Sequence, residues 1–349
     1  MTTLHRVTEA TKKIGIGFTI GILCIIFLIL SFRLFVTVKE SIFPTPLAPP
    51  TVTFGKLPKI VFPPTTSQPL TVSLNTVSGS LPTLDDRVIV YKLQLPQVSF
   101  SSIDKAKTIA ATNNFLGDPT PISDTIYQWN NTNPTQSFTL NIQTFDFSFT
   151  SAYLSYPIVL SGTNLGNPSD AIVATTNYFT NYHGSLPSDI DTSKTQTSLF
   201  AIQNNLLVPA SSLSDAQVIR VDFYQSDINK LPLYYPHYPA SLISAFVASG
   251  DSAQEVVGAT FVHKTVNPDS NATYPTKTAQ EGYDELKKGE AFIANYDTPD
   301  KPVVIRKVSL GYYISDDPGQ EYLMPIIVFQ GDHNFYAYVS AIKNEWIRN

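Results

Sequence analysis

After Leu70 the chain alternates apolar and polar residues with a period of two. Phe145, Phe147 and Phe149 are interleaved with Thr144, Asp146, Ser148 and Thr150, and Ile219, Val221 and Phe223 with Arg220, Asp222 and Tyr224. A strand points successive side chains to opposite faces, so this pattern predicts half-buried strands. Further strands are predicted over 71–77, 87–94, 123–130, 137–143, 197–203, 241–248, 255–266, 302–314, 321–330 and 334–341. The links "SDDPGQ" (315–320) and "GDHN" (331–334) are too short for a crossover helix and carry turn residues, which predicts antiparallel hairpins.

Helical spacing is confined to three stretches of this region. Residues 101–115 place Ile103, Ala106, Ile109 and Ala110 on one face, and Ser102 is expected to cap that helix. Residues 168–182 open on a proline and Ser169. In "TAQEGYDELKKGEAF", Thr278 and Glu281 have capping-box spacing and Gly289 follows the last turn. The expected fold class is α+β: curved antiparallel β-sheets, each packed with a helix, preceded by one transmembrane helix. The expected organisation is 1–43 (cytoplasmic N-terminus and anchor), 44–69 (tether), 70–160 (first α+β ectodomain) and 161–349 (second), with "SGTNLGNPSD" at the junction.

The N-terminal pattern is different in kind. Ile14 to Phe32 are 19 consecutive uncharged residues; as a helix they span roughly 28 Å, close to the hydrocarbon thickness of a bilayer. Arg6, Lys12 and Lys13 precede this run, which predicts a cytoplasmic N-terminus, contact with the lipid bilayer through residues 14–32, and a C-terminal domain outside the cell membrane. No small-x-small cleavage site follows Leu30, so the segment reads as an uncleaved anchor. Pro44, Pro46, Pro49, Pro50, Pro58, Pro63, Pro64 and Pro69 then make an extended, semi-rigid tether. Within it "TVTFGKLPKIVFPP" (51–64) is too apolar for a free linker and is expected to lie as an edge segment against the domain.

Composition narrows the function. The net charge is −5 overall and −8 beyond Phe43, whereas nucleic-acid binding needs a basic surface to replace counterions. The single cysteine, Cys24, lies inside the apolar run, so the domain has no disulfide framework and no Cys-based metal site.

Catalytic chemistry has no motif here. The five histidines (His5, His183, His237, His263, His333) are dispersed, and no HExxH, GxSxG or phosphate-binding glycine loop occurs. Ser102 and Lys105 form an SxxK without its KTG or SDN partners. Asp316, Asp317, Glu321 and Asp332 surround the last hairpin turns; they read as solvated turns, with Ca²⁺ as the alternative. Asp189 and Asp191 read as turn and cap residues. No catalytic residue, cofactor or metal is assigned. The candidate interaction surface is "KLPLYYPHYPAS" (230–241), where Tyr234, Tyr235, His237 and Tyr238 sit between three prolines. A stiff aromatic loop loses little entropy on contact; core packing is the competing explanation. Tyr312 and Tyr313 beside Pro325 are read as a sheet edge open to strand addition.

The phrases "FGKLPKIVFP", "LVPASSLSDAQVIRVDF", "YPTKTAQEGYDELKKGEAFIANY", "VIRKVSLGYY" and "QEYLMPIIVFQGD" resemble a group of uncharacterised single-pass, membrane-anchored proteins of candidate-phyla (Patescibacteria-type) bacteria. The helix-then-strands pattern ending in "LGYY…EYLMPIIVF" is more distantly similar to PepSY-like modules and to the YycH and YycI proteins built from them. That resemblance implies a membrane-anchored ectodomain that regulates an envelope sensor. The leading expectation is therefore a non-enzymatic module binding a protein or peptide partner in the bacterial envelope. An envelope hydrolase with a fold-assembled site and a passive surface protein are the alternatives.

Overall fold

The computed structural model describes residues 21–23, 25–35, 49–64, 70–132, 134–251, 253–299 and 301–348. It divides into two units, Met1–Pro49 and Pro50–Asn349. In the first, residues 25–35 are helical and their apolar side chains are exposed. Much of the expected 14–32 span lies outside the described residues, among which no helix is long and apolar enough to cross a membrane.

The second unit is α+β, built from two mostly antiparallel sheets with few helices. Its strands are β1 Val72–Leu74, β2 Arg87–Leu93, β3 Thr120–Pro121, β4 Ile126–Thr132, β5 Thr135–Asn141, β6 Phe147–Ser151, β7 Gln196–Gln203, β8 Leu206–Pro209 and β9 Val218–Phe223. They continue with β10 Leu233–Tyr234, β11 Ile243–Ser249, β12 Gln254–Phe261, β13 Val266–Pro275, β14 Phe292–Asn295, β15 Val303–Tyr313, β16 Tyr322–Gly331 and β17 Phe335–Ser340. Helices α1 (Ser102–Thr112), α2 (Pro157–Ser161), α3 (Pro168–His183) and α4 (Ala279–Lys287) complete the regular structure beside short 3₁₀ turns.

The nine-stranded sheet runs β3-β4-β5-β6-β12-β11-β9-β7-β8. One face packs on α1 and α3 through Phe115, Phe138, Phe147, Phe179 and Phe261. Asn167 and Asp170 close a capping box on α3, with Pro168 in its first turn, which satisfies backbone donors that would otherwise be orphaned. For α1 the cap is not Ser102: Ser101 holds the N-cap position without a side-chain bond, and buried Ser102 accepts the Ser99 N–H at 3.0 Å.

The eight-stranded sheet has the path β1-β15-β16-β17-β14, with β2 and β13 paired beside β16 and β10 beside β15. Thr278 and Glu281 make the capping box of α4, and Gly289 (φ 77°) stops the chain after it. Gly282 lets this helix settle onto the sheet, because a Cβ there would lie 2.9 Å from Ile327 Cδ1. Pro325 sits inside a central strand, not at an edge. It falls where β16 changes neighbour, from β2 at Leu323↔Tyr91 to β17 at Ile326↔Ser340, a position that needs no N–H donor.

The division expected at 160/161 cuts through one sheet, since β6 pairs with β12. The nine-stranded sheet is instead inserted between β2 and β13, which pair with each other across the insertion. The tether's end lies where the pattern placed it. Leu57 (0% exposed) and Ile60 (7%) are buried, the Leu57 N–H donates to Trp346 O, and the Arg348 N–H donates to Leu57 O, both at 2.8 Å. Phe62 stacks on Phe292 at 4.9 Å. Pro58, Pro63 and Pro64 cost the strap little, because its backbone donors are used at Thr51, Val52, Gly55 and Leu57 and not at these positions.

Candidate functional site

The tyrosine segment turns inward. Tyr234 (3% exposed) and Tyr235 (1%) are buried, Tyr238 is half-buried and His237 alone is exposed. The expected recognition loop is therefore a packing element: β10 pairs in parallel with the end of β15 and carries its aromatics into the core. Tyr234 lies 4.9 Å from the Tyr238 ring and 5.6 Å from Tyr338, and its hydroxyl accepts from Gln330 Nε2 at 3.1 Å. Burial pushes the Tyr235 hydroxyl up to about 12. Tyr312 and Tyr313 are buried as well, and there β15 is paired on both sides, with β10 and with β16, which removes the strand-addition edge expected there.

The acidic turn residues separate. Arg306 takes both Asp332 oxygens at 2.8 and 2.7 Å, and Asp317 Oδ1 accepts the Gly319 N–H at 2.8 Å. Among the described residues no group of three or more His, Cys, Asp or Glu is placed to hold a metal ion. Asp191 caps a turn by accepting from Ser193 N.

Asp189 does something its neighbourhood in sequence does not indicate. Its carboxylate meets His263 Nε2 at 2.8 Å and accepts from Gln225 Nε2 at 2.8 Å. Next to it Asp146 accepts the His263 N–H, with Lys264 Nζ at 3.9 Å. Burial dominates both Asp146, whose carboxyl is pushed up, and Lys264, whose ammonium is pushed down. Burial also works on Asp189, but the His263 and Gln225 hydrogen bonds outweigh it and hold that carboxyl down. Lys264 donates to Asp317 O at 3.0 Å, so this polar seam ties the link after β12 to the β15–β16 turn. Sequence reading missed it because its members lie 74 residues apart (Asp189 and His263) or 117 apart (Asp146 and His263).

That turn forms one wall of a recess of about 240 Å³ roofed by the strap. Ile60, Val61 and Pro58 come from the strap, Tyr313, Tyr322 and Met324 from the sheet, Asp317 and Glu321 from the turn, and Lys59 and Arg348 from the opposite side. Gln320 holds the turn rigid: its Oε1 accepts from Ser315 N at 2.9 Å, and its Nε2 donates to Tyr313 O and Tyr322 O. Tyr313 is 1% exposed and its hydroxyl has no hydrogen-bond partner among the described residues. Burying a hydroxyl unpaired costs about 1–3 kcal/mol, which phenylalanine would avoid. A second groove, about 440 Å³ beside α4, is lined by Lys277, Glu285, Asp284 and Lys288 among others. Part of its charge is paired locally, Lys277 with Glu285 at 2.7 Å and Asp284 with Lys287 at 2.8 Å.

No family model matches the chain. A comparison with curated proteins gives no match. Among solved structures, an uncharacterized protein from Eubacterium rectale is similar at a TM-score of 0.42 and 11% identity, over 80% of this chain and 91% of that one.

Proposed function

We propose that this chain is a single-pass, membrane-anchored extracytoplasmic binding module that takes part of a protein or peptide partner into the recess beneath the strap. The observation that carries this reading is the recess itself, about 240 Å³ between the strap, the sheet and the β15–β16 turn. A recess of this size holds one partner side chain or a molecule of similar bulk, between apolar residues such as Ile60, Tyr322 and Met324 and the charged Lys59, Asp317, Glu321 and Arg348. The roof is continuous in sequence with the tether, so a ligand that tightens the strap acts on the segment leading to the anchor. That arrangement suits regulation of an envelope sensor, with residues 14–32 in the bilayer, the N-terminus cytoplasmic and the two helix-backed sheets as PepSY-like modules. The exposed apolar side chains of residues 25–35 favour the anchor.

The rival reading, a hydrolase, would draw on His263 and Asp189. Both oxygens of Asp189 are already engaged, one by His263 and one by Gln225, and the neighbouring groups serve the seam. The pair acts as a structural lock. A photoreactive side chain at Val61, which is 71% exposed and lines the recess, tests the proposal in cells. Specific adducts are expected from Val61 and not from a control position at Leu206, which is 66% exposed on the other sheet. Equal, unselective adducts from both positions would contradict it.

A further inference from the structure

We infer that Asn271 is an acceptor for N-linked glycosylation, taking an oligosaccharide from a polyprenyl diphosphate carrier through a transferase of the bacterial type. Residues 269–273 read Asp-Ser-Asn-Ala-Thr. Asn-x-Thr without proline at x is the general acceptor motif, and the bacterial type of transferase also asks for a carboxylate two residues before the asparagine, which Asp269 supplies. The fold puts this motif where an enzyme can reach it. Among the described residues β13 has β2 as its one partner strand, and its register breaks between Asn267, opposite Lys92, and Asn271, opposite Tyr91. Pro268, Asp269 and Ser270 therefore bulge out with no partner on β2. Asp269 and Asn271 are both exposed. The bulge is closed by local bonds alone: the Asp269 N–H donates to Asn267 Oδ1 at 3.2 Å, and Asn271 Nδ2 donates to Pro268 O at 2.8 Å. The acceptor amide has one exposed hydrogen bond to give up and no core contact.

A second Asn-x-Thr serves as an internal control. Asn130, followed by Asn131 and Thr132, is exposed as well, but Gln128 stands where the acid belongs, and Asn130 lies in an unbroken ladder opposite Ser137. A transferase that reads Asn-x-Thr alone modifies both positions; one that needs the acid modifies Asn271 only. In the transfer, Asn271 Nδ2 attacks the anomeric carbon of the carrier-linked sugar. The carbon–nitrogen bond forms as the bond from that carbon to the diphosphate oxygen breaks, Nδ2 gives up one proton, and the polyprenyl diphosphate leaves. No oxidant or reductant enters. The sugar then stands beside the strap, which meets β13 at Thr273 through Thr51 and Val52. A bulky hydrophilic group on an edge strand hinders the addition of another strand. The event in cells rests on the extracytoplasmic placement proposed above.

The test has two arms, both on the full chain and both read by peptide mass spectrometry. In one, the chain in lipid nanodiscs is incubated with a purified bacterial-type oligosaccharyltransferase and a polyprenyl diphosphate oligosaccharide; in the other, the chain is expressed in bacteria carrying the same transferase, which works on the outer side of the cytoplasmic membrane. A gain of one oligosaccharide at Asn271 is expected, lost in Asn271→Gln and unchanged in Asn130→Gln. Asp269→Asn is expected to lower occupancy about tenfold, the size of one lost charge-assisted contact. These three substitutions change exposed residues, so folding is expected to be intact. No transfer to the wild-type chain in nanodiscs overturns the proposal, and so does equal transfer to Asp269→Asn. Transfer in nanodiscs with none in cells keeps Asn271 as an acceptor and contradicts the extracytoplasmic placement instead.

Discussion

The two sheets of the second unit solve the same problem, one helix-covered face each, but leave different things undone. The nine-stranded sheet ends in strands that offer little: β3 is two residues long and includes Pro121, and β8 is four residues long and closes on Pro209. Short, proline-bearing edges resist the addition of another strand. The eight-stranded sheet receives the strap and keeps a recess at the seam between them. Among the described residues, buried polar atoms without a partner occur in both halves, Trp129 Nε1 and Asn141 Nδ2 in the nine-stranded sheet and the Tyr313 hydroxyl in the other, so what sets the eight-stranded sheet apart is the strap and the recess beneath it.

The contrast breaks most sharply in the cores. Phe138 is fully buried among Phe115, Trp129, Phe147 and Tyr182, and Phe138→Ala is expected to cost about 3–5 kcal/mol in urea unfolding. Leu57→Ala, in the strap, is expected to cost no more than about 2–5 kcal/mol, and hydrogen exchange should place its loosening at Leu57 and Arg348. Equal destabilisation with no local signature at the strap would remove the distinction between the two regions.

Lys264→Met is the next largest. It removes the bond to Asp317 O and the cation beside Asp146, at an expected cost of about 1–3 kcal/mol at neutral pH. The Asp146 carboxyl is already pushed above its ordinary 3.8, chiefly by burial. A raised folded value means that its stabilising contribution is present at low pH and is lost as pH rises through that value. Without Lys264 the value rises further, so the stability difference between wild type and variant is expected to shrink on acidification. Urea titrations from pH 3 to 7 check this sign.

Thr278→Ala is smaller, about 1 kcal/mol from the α4 cap. The Thr278 backbone N–H is the chief influence holding the Glu281 carboxyl below its ordinary 4.5. That contribution is present above 4.5 and lost as pH falls through the lower folded value. Because Glu281 is solvent-exposed, the pH-dependent part is expected to be a small fraction of the whole.

Local rules carried the reading far in this chain. The capping box at Thr278 and Glu281, the stop at Gly289, the hairpins at 315–320 and 331–334, and the packed strap all follow from neighbouring residues. Pairings between distant strands do not: nothing near Phe149 announces Ala259, and so the inserted sheet was read as two successive domains. The Tyr234–Tyr238 stretch misled because aromatic residues between prolines suit an exposed loop and a buried crossover equally. Pro325 misled for a related reason, since a strand that changes neighbour tolerates proline as an edge does. The recess was invisible for want of any spacing that links Lys59, Tyr313 and Glu321.

The unfolding free energy of Tyr313→Phe tests the vacancy of that hydroxyl most directly. The account expects stability unchanged or raised by up to about 1–3 kcal/mol, since the variant removes a buried group that has no partner. A loss of about 1 kcal/mol or more would contradict it, because the hydroxyl would then already have its partner.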